Sequence, residues 1–363
     1  MFSKRRSNAN GESSTFKVLN GDPALYERLS QPQEQRGTVL YLAYGSNLCK
    51  ETFRGKRGIR PLSQTNVQVP SLRLTFDLPG IAYGEPCFAN SGRRDPKNDS
   101  PKAQKEWSTD EKAPLLSRNQ PQYRKDAWHK GLIGVVYEVT PEDYAHIIAT
   151  EGGGASYHDI LVDCHPFSSV EPSAPVPQDP TTPAIRAHTL FAPAAPAGED
   201  PPKDGGRFQR PDTSYAQASA RYLKLITDGA AECDLPYEYQ DYLKAIRPYT
   251  VTSNKQRLGA YIFLGIWVPF VMMVFGLSGM FADENGRIPD WLKQLTGAIF
   301  KACWASYDGF FKPMFGDGER SIPDGGEDAP DEEADGIENR HARVGAHSKL
   351  LPDLEKVIHT AQS

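Results

Sequence analysis

The stretch YLAYGSNL, Tyr41 to Leu48, decides the reading of this 363-residue chain. It completes the apolar run VLYLAY, Val39 to Tyr44, which has the length and continuity of a buried strand. Gly45, Ser46 and Asn47 break that run, and LCKETFRGKR after them reads as a short helix with Ser46 or Asn47 as its N-cap. A buried strand, a tight polar loop and a helix start aim backbone N–H groups and a positive helix end at one spot. Such a spot suits a carboxylate or a developing oxyanion. Ser46 and Asn47 add side-chain donors. Taken alone, the pattern also fits an ordinary strand-to-helix turn.

Outward from this loop, SLRLTFDL (Ser71 to Leu78) alternates as a half-buried strand, and GLIGVVYEV (Gly131 to Val139) is β-branched and strand-like. A helix with clear limits comes next. Thr140 can cap it, Pro141 takes its first position, Asp143 stands three residues after the cap, and Gly152, Gly153 and Gly154 end it. Tyr144, Ile147, Ile148 and Glu151 fall at i, i+3, i+4 and i+7, on one face. Glu151 therefore lies on the core-facing stripe at the last turn. Burial and the negative helix end both disfavour its charge there, an environment suited to acid/base work at neutral pH. A carboxylate at a helix end can also curl out into water, and the pattern does not choose. Glu142 and Asp143 read as caps, and Glu138 is expected to face solvent. YHDILVDCHPF and AIRAHTLFA supply two more strands. TSYAQASARYLKLITDGA and LPYEYQDYLKAI form a helical pair broken at Pro236.

The remainder bounds the organisation. A formal charge of −5 offers no basic stripe for nucleic acid. Five scattered cysteines with no Cys-x-x-Cys spacing read as reduced, packed thiols, Cys49 included. No phosphate loop, zinc spacing or dinucleotide fingerprint occurs, so neither metal nor cofactor is expected. Residues 1–37 read as a flexible leader without a signal peptide, and 38–250 as an α+β domain. Disordered insertions are expected near 91–130, 168–183 and 194–211, the last two rich in proline. Arg54, Lys56, Arg57 and Arg60 read as a solvated basic face, and His158 and His188 have no assigned role.

Residues 258–282 run 25 positions without a charge, enough to cross a bilayer at ~20 residues. The alternative is a buried core helix. Lys244, Arg247, Lys255 and Arg257 before the run place the preceding domain in the cytosol, as part of a single-pass membrane protein; a cytoplasmic protein is the alternative. Residues 283–315 read as an aromatic amphipathic segment and 316–363 as an acidic, disordered tail.

In order, YGSNL, the strand GVVYEV, the Glu151–Gly152 pair and SARYLKLITDGAAECDLPYEYQDYLKAI resemble the γ-glutamyl cyclotransferase family over roughly 38–246. EPCFAN (Glu85 to Asn90) and the C-terminal apolar run look most like fungal members tied to gliotoxin-type epidithiodiketopiperazine biosynthesis, a mycotoxin pathway of secondary metabolism. The resemblance implies a mixed sheet or barrel with few helices. It implies an enzyme that closes a γ-glutamyl amide into 5-oxoproline, with glutathione, a γ-glutamyl amino acid or a glutathione adduct as the small-molecule substrate. Glu151 would be the catalytic acid/base; Tyr41, Leu42, Ala43, Tyr44, Gly45, Ser46, Asn47 and Tyr157 would bind substrate. A substrate-contacting tyrosine of the small soluble members falls near Thr189 here, a departure. The competing reading is a membrane-tethered binding module that keeps the pocket without turnover.

Overall fold

The computed structural model describes residues 17–18, 23–94, 128–151, 158–168, 171–192, 210, 215–284 and 287–321. The described residues include eight strands: β1 (Lys17–Val18), β2 (Val39–Ala43), β3 (Ser63–Val69), β4 (Leu72–Ile81), β5 (Glu85–Arg93), β6 (Leu132–Val139), β7 (His158–Pro166) and β8 (Ile185–Phe191). Six run side by side in the order β1-β3-β6-β2-β8-β7, and β7 pairs back onto β3. The sheet thus closes into a five-stranded barrel, with β1 added in parallel outside β3. Closure removes free edges from the barrel strands. β2, the strand that feeds the signature loop, is central: it pairs antiparallel with β6 and parallel with β8. All five of its residues are buried.

The barrel contains one strand that apolar patterning does not reveal. β3 reads SQTNVQV, yet all seven residues are buried. Its polar side chains find partners inside. Ser63 Oγ donates to Glu138, Asn66 Nδ2 to the carbonyls of Cys233 and Asp234, and Gln68 Nε2 to those of Lys130 and Pro177. Glu138 itself, expected in water, is 1% exposed. Arg28 grips it with two hydrogen bonds of 2.5 and 2.6 Å, and Thr38 adds a third at 2.9 Å. The Arg28 bonds belong to a short helix, α1 (Pro23–Leu29), whose Leu29 is buried in the core. The leader is therefore folded onto the barrel from Pro23, against the expectation of a flexible 1–37. Described residues of the 168–183 insertion likewise pack inward, with Val176 buried and its N–H on Glu238. The rest of the leader apart from β1, most of 91–130 and 194–211, and the tail beyond Ser321 lie outside the described residues.

Four helices complete the frame: α2 (Pro141–Thr150), α3 (Ala220–Glu232), α4 (Tyr237–Ala245) and a 28-residue α5 (Asn254–Phe281). Thr140 caps α2 by accepting from the Asp143 N–H, as the spacing requires, while Ser219 caps α3 seven residues into the expected helical stretch. α5 is followed by α6 (Asp290–Ser306), packed antiparallel to it: Trp267 donates to Ser306 at 3.0 Å, and Phe281 meets Trp291 at the far end. A second apolar core forms where this pair meets the β4–β5 hairpin tip, from Ile81, Ala82, Tyr83, Phe263, Trp304, Tyr307 and Phe311 among others.

Candidate active site

After β2 the chain does not enter a regular helix. Gly45 leads into a single 3₁₀ turn, Ser46–Leu48, and then a wide turn, Glu51–Lys56. Neither Ser46 nor Asn47 caps a helix; no side chain caps the 3₁₀ turn. Asn47 is used otherwise. Its Nδ2 donates to Tyr41 Oη at 2.8 Å and to Glu151 Oε1 at 3.1 Å. Its Oδ1 is buried with no partner among the described residues. The loop is held by α3, whose Gly229 lies so close that a Cβ there would sit 2.4 Å from Cys49 N and Leu48 C.

These elements enclose a hollow of about 360 Å³, open at its mouth, lined by Tyr41, Tyr44, Gly45, Ser46, Asn47, Ala89, Glu151, Thr189, Leu190 and Tyr222. Glu151 is the C-terminal cap residue of α2, held there by its N–H on the Ile147 and Ile148 carbonyls. Tyr144 and Ile147 of the same face are buried, as the helical periodicity requires. The carboxylate is 19% exposed and pairs with Arg57 Nη2 at 2.6 Å, while Arg57 Nη1 also donates to Thr150. Arg57 thus turns inward, its side chain 10% exposed, instead of belonging to a solvated face. It brings a counter-charge that the linear reading of Glu151 did not include.

Three phenols complete the wall. Tyr44 donates to the Leu190 carbonyl at 2.9 Å, and Tyr222 Oη receives the Ala89 N–H at 3.2 Å. Burial, reinforced by the nearby Glu151 carboxylate, holds Tyr41, Tyr44 and Tyr222 well above the ordinary tyrosine range. All three are therefore neutral hydroxyls at physiological pH, available to hydrogen-bond and unable to act as bases. Gly45 faces them closely: a Cβ at this position would lie 3.3 Å from Tyr222 Oη and 3.6 Å from Ala89 Cβ.

Of the residues singled out in the sequence, Tyr41, Tyr44, Gly45, Ser46, Asn47 and Glu151 meet in this hollow. Leu42 and Ala43 do not line it. They sit in the barrel core, and the Leu42 carbonyl is occupied by the Thr189 hydroxyl at 3.1 Å. Tyr157 lies outside the described residues. Ala89, Leu190, Tyr222 and Arg57 were not singled out for the site. Ala89 comes from the EPCFAN stretch and Tyr222 from the late helices, but only the closed barrel shows that they share a wall with Asn47. His188 is committed elsewhere, to Asp159 at 2.8 Å and Gln33 at 3.0 Å.

A family profile described as the AclK C-terminal domain matches residues 253–314. Gamma-glutamyl cyclotransferase gliK of Aspergillus fumigatus is 28% identical over 288 residues, spanning 79% of this chain and 91% of its own length. Gamma-glutamyl cyclotransferase aclK of Aspergillus oryzae is 28% identical over 305 residues, spanning 81% of this chain and 94% of its own. A solved structure titled Gamma-glutamyl cyclotransferase aligns at 18% identity and a TM-score of 0.36, covering 60% of this chain and 92% of that one. With the matched C-terminal domain and relatives aligned along nearly their full lengths, the chain is similar to gamma-glutamyl cyclotransferases of the gliK and aclK kind.

Proposed function

We propose that this chain converts a γ-glutamyl amide into 5-oxoproline and a free amine, with Glu151 as the acid/base. The observation that carries the reading is the carboxylate of Glu151 in one hollow with the Gly45–Ser46 turn and the orphaned Oδ1 of Asn47. The γ-glutamyl head brings an α-ammonium, an α-carboxylate and a γ-carbonyl. Asn47 Oδ1 is a ready acceptor for the ammonium. Among the described residues no carbonyl pairs with the N–H groups of Gly45, Ser46 or Asn47, which leaves them for an anionic oxygen.

Glu151 takes one proton from the ammonium. The freed amine nitrogen attacks the carbonyl carbon of the γ-glutamyl amide, forming the C–N bond of a five-membered lactam, and the carbonyl electron pair moves to oxygen, where loop N–H groups meet it. When the carbonyl re-forms, the bond to the departing nitrogen breaks and Glu151 returns its proton to that nitrogen; the second proton shed by the new lactam nitrogen leaves with the released amine, as its ammonium. No water is consumed, and the carboxylate ends as it began. Arg57 acts as a positioning residue: with Asn47 it holds Oε1 of Glu151 and so fixes the carboxylate at the wall of the hollow.

The leaving amine is the part of substrate beyond the head. Thr189 gives the wall a small side chain where the small soluble members carry a tyrosine, and the hollow opens to solvent. Both features favour a bulky leaving group, such as a glutathione adduct of secondary metabolism, over a free amino acid. We assign 38–250 to the catalytic domain and Asn254–Phe281 to membrane contact, with the catalytic domain in the cytosol. For that helix the support is an 18-residue window with mean hydropathy 2.1, only 22% of it buried. Mass-spectrometric profiling of products from glutathione, γ-glutamyl amino acids and bulky glutathione S-conjugates tests the activity. 5-Oxoproline from at least one class, fastest from the conjugates, is expected; its absence from all of them refutes the proposal.

A further inference from the structure

A helix that crosses a bilayer carries the next part of the chain to the other side. In this protein the chain beyond α5 and α6 returns to the β4–β5 hairpin and to the segments just before α3 and α5. Arg210 receives it, binding Asp308 at 2.6 and 2.7 Å and Glu319 at 2.8 and 3.0 Å, its guanidinium 4.2 Å from the Trp304 ring centre. The Gly318 carbonyl accepts from the Tyr83 N–H at 2.7 Å, and the Glu319 carbonyl accepts from Gln217 N–H at 2.8 Å. The two ends of the helical hairpin are also tied to each other: Gln256 Nε2 donates to the Asp317 carbonyl at 3.0 Å, and Ser321 Oγ to that of Thr250 at 3.0 Å. Entry and exit therefore lie on one side, against the single-pass topology expected from the sequence. Nor can α6 serve as a second crossing, since Lys293, Gln294 and Lys301 stand within its 17 residues.

Within this arrangement α5 has two faces. Phe263, Leu264, Val271 and Val274 are buried. The opposite side exposes Leu258, Tyr261, Ile262, Ile266, Phe270 and Met273, continuing to Met280 and Phe281. At ~1.5 Å per residue this stripe runs about 35 Å. From Leu258 to Ala282 there is no charge on any side, and the lone serine, Ser278, turns its hydroxyl back onto the Val274 carbonyl. Lys255 and Arg257 stand exposed just before the stripe, and Trp291 is exposed beside its far end, residues that favour the headgroup region.

We propose that this stripe is a lipid-docking face that seats the chain in one leaflet from the cytosolic side, without crossing the bilayer. The inference rests on the membrane reading of Asn254–Phe281 and is independent of the cyclotransferase reading.

The test uses the full chain with sealed phosphatidylcholine vesicles, with and without phosphatidylserine. Wild type should float with the vesicles, and external protease should remove the sequence beyond Ser321 completely. The variant Ile266→Glu/Phe270→Glu/Met273→Glu should lose floated protein at least tenfold while its 5-oxoproline release from soluble substrate stays unchanged. A milder pair, Met280→Ser/Phe281→Ser, should fall between the two and serves if the triple variant fails to fold. Failure of wild type to float sinks the membrane reading and leaves the enzyme untouched. Floating with a protease-protected tail overturns the one-sided arrangement alone. A lipid-free dimer that the triple variant converts to monomer gives the stripe to a second copy and overturns the proposal.

Discussion

At the residue scale the account turns on how Glu151 is oriented. Helical periodicity put it on the inward face of α2, but orientation comes from across the fold, from Asn47 at 3.1 Å and Arg57 at 2.6 Å. Arg57→Gln removes a charged partner and leaves the carboxylate free to turn away. A fall in kcat of about tenfold with KM nearly unchanged is expected, as befits lost positioning rather than lost binding. Arg57→Lys keeps the charge without the two-pronged reach to Thr150 and should restore part of the rate. Steady-state kinetics on one γ-glutamyl substrate separates these outcomes; a change confined to KM would assign Arg57 to substrate binding instead.

At the scale of elements, the site depends on backbone approaches that leave no room for error. α3 meets the signature loop at Gly229, where a Cβ would strike the backbone at 2.4 Å. Backbone cannot swing aside as a side-chain tip can, so Gly229→Ala should cost about 3 kcal/mol or more and lower activity in whatever remains folded. Denaturant unfolding measures the first, and turnover per folded molecule the second. α1 is fastened by charge. Although burial alone pushes the Glu138 carboxyl up, the bonds from Arg28, Ser63 and Thr38 outweigh it and hold it below the ordinary carboxylate range. A carboxyl more acidic in the folded state binds fewer protons there than when unfolded. Its contribution is thus present above the ordinary carboxylate range and lost as pH falls through the depressed value. Glu138→Gln should lower the melting temperature at pH 7 and flatten its acid-side decline; an unchanged acid limb would put the pH dependence elsewhere.

The elements also show what was legible in one dimension. β2, β6, β7, β8 and the limits of α2 came from apolar runs, capping residues and glycines. β3 did not, because SQTNVQV signals water and its partners are carbonyls on distant loops. Glu138 was misplaced for a related reason: strand alternation cannot foresee an arginine 110 residues earlier in the chain. The helix expected after Gly45 gave way to a 3₁₀ turn because Asn47 bonds to Tyr41 and Glu151 instead of to the backbone. Tyr41, Tyr44, Gly45, Ser46, Asn47 and Glu151 were therefore readable as motif, whereas Arg57, Ala89, Leu190 and Tyr222 are brought to the site only by the tertiary fold.

For the whole molecule, the end of the helical hairpin and the chain that follows it are gathered around one buried cation, Arg210. Arg210→Ala would leave Asp308 and Glu319 facing each other without it, and strip a cation from the Trp304 ring. About 3 kcal/mol is expected from breaking such a buried arrangement. Hydrogen exchange should quicken first in 316–321, before the barrel strands. Equal acceleration in β2 and β6 would mean that the hairpin and barrel unfold as one unit.

The claim on which the catalytic account rests is the proton carried by Glu151, and it is tested by following 5-oxoproline from the best γ-glutamyl substrate with wild type and Glu151→Gln side by side. The amide keeps the size and the Asn47 contact but cannot cycle a proton, so kcat should fall by about 10²–10⁴ with the melting temperature held and substrate still bound. Undiminished turnover by Glu151→Gln would contradict the account.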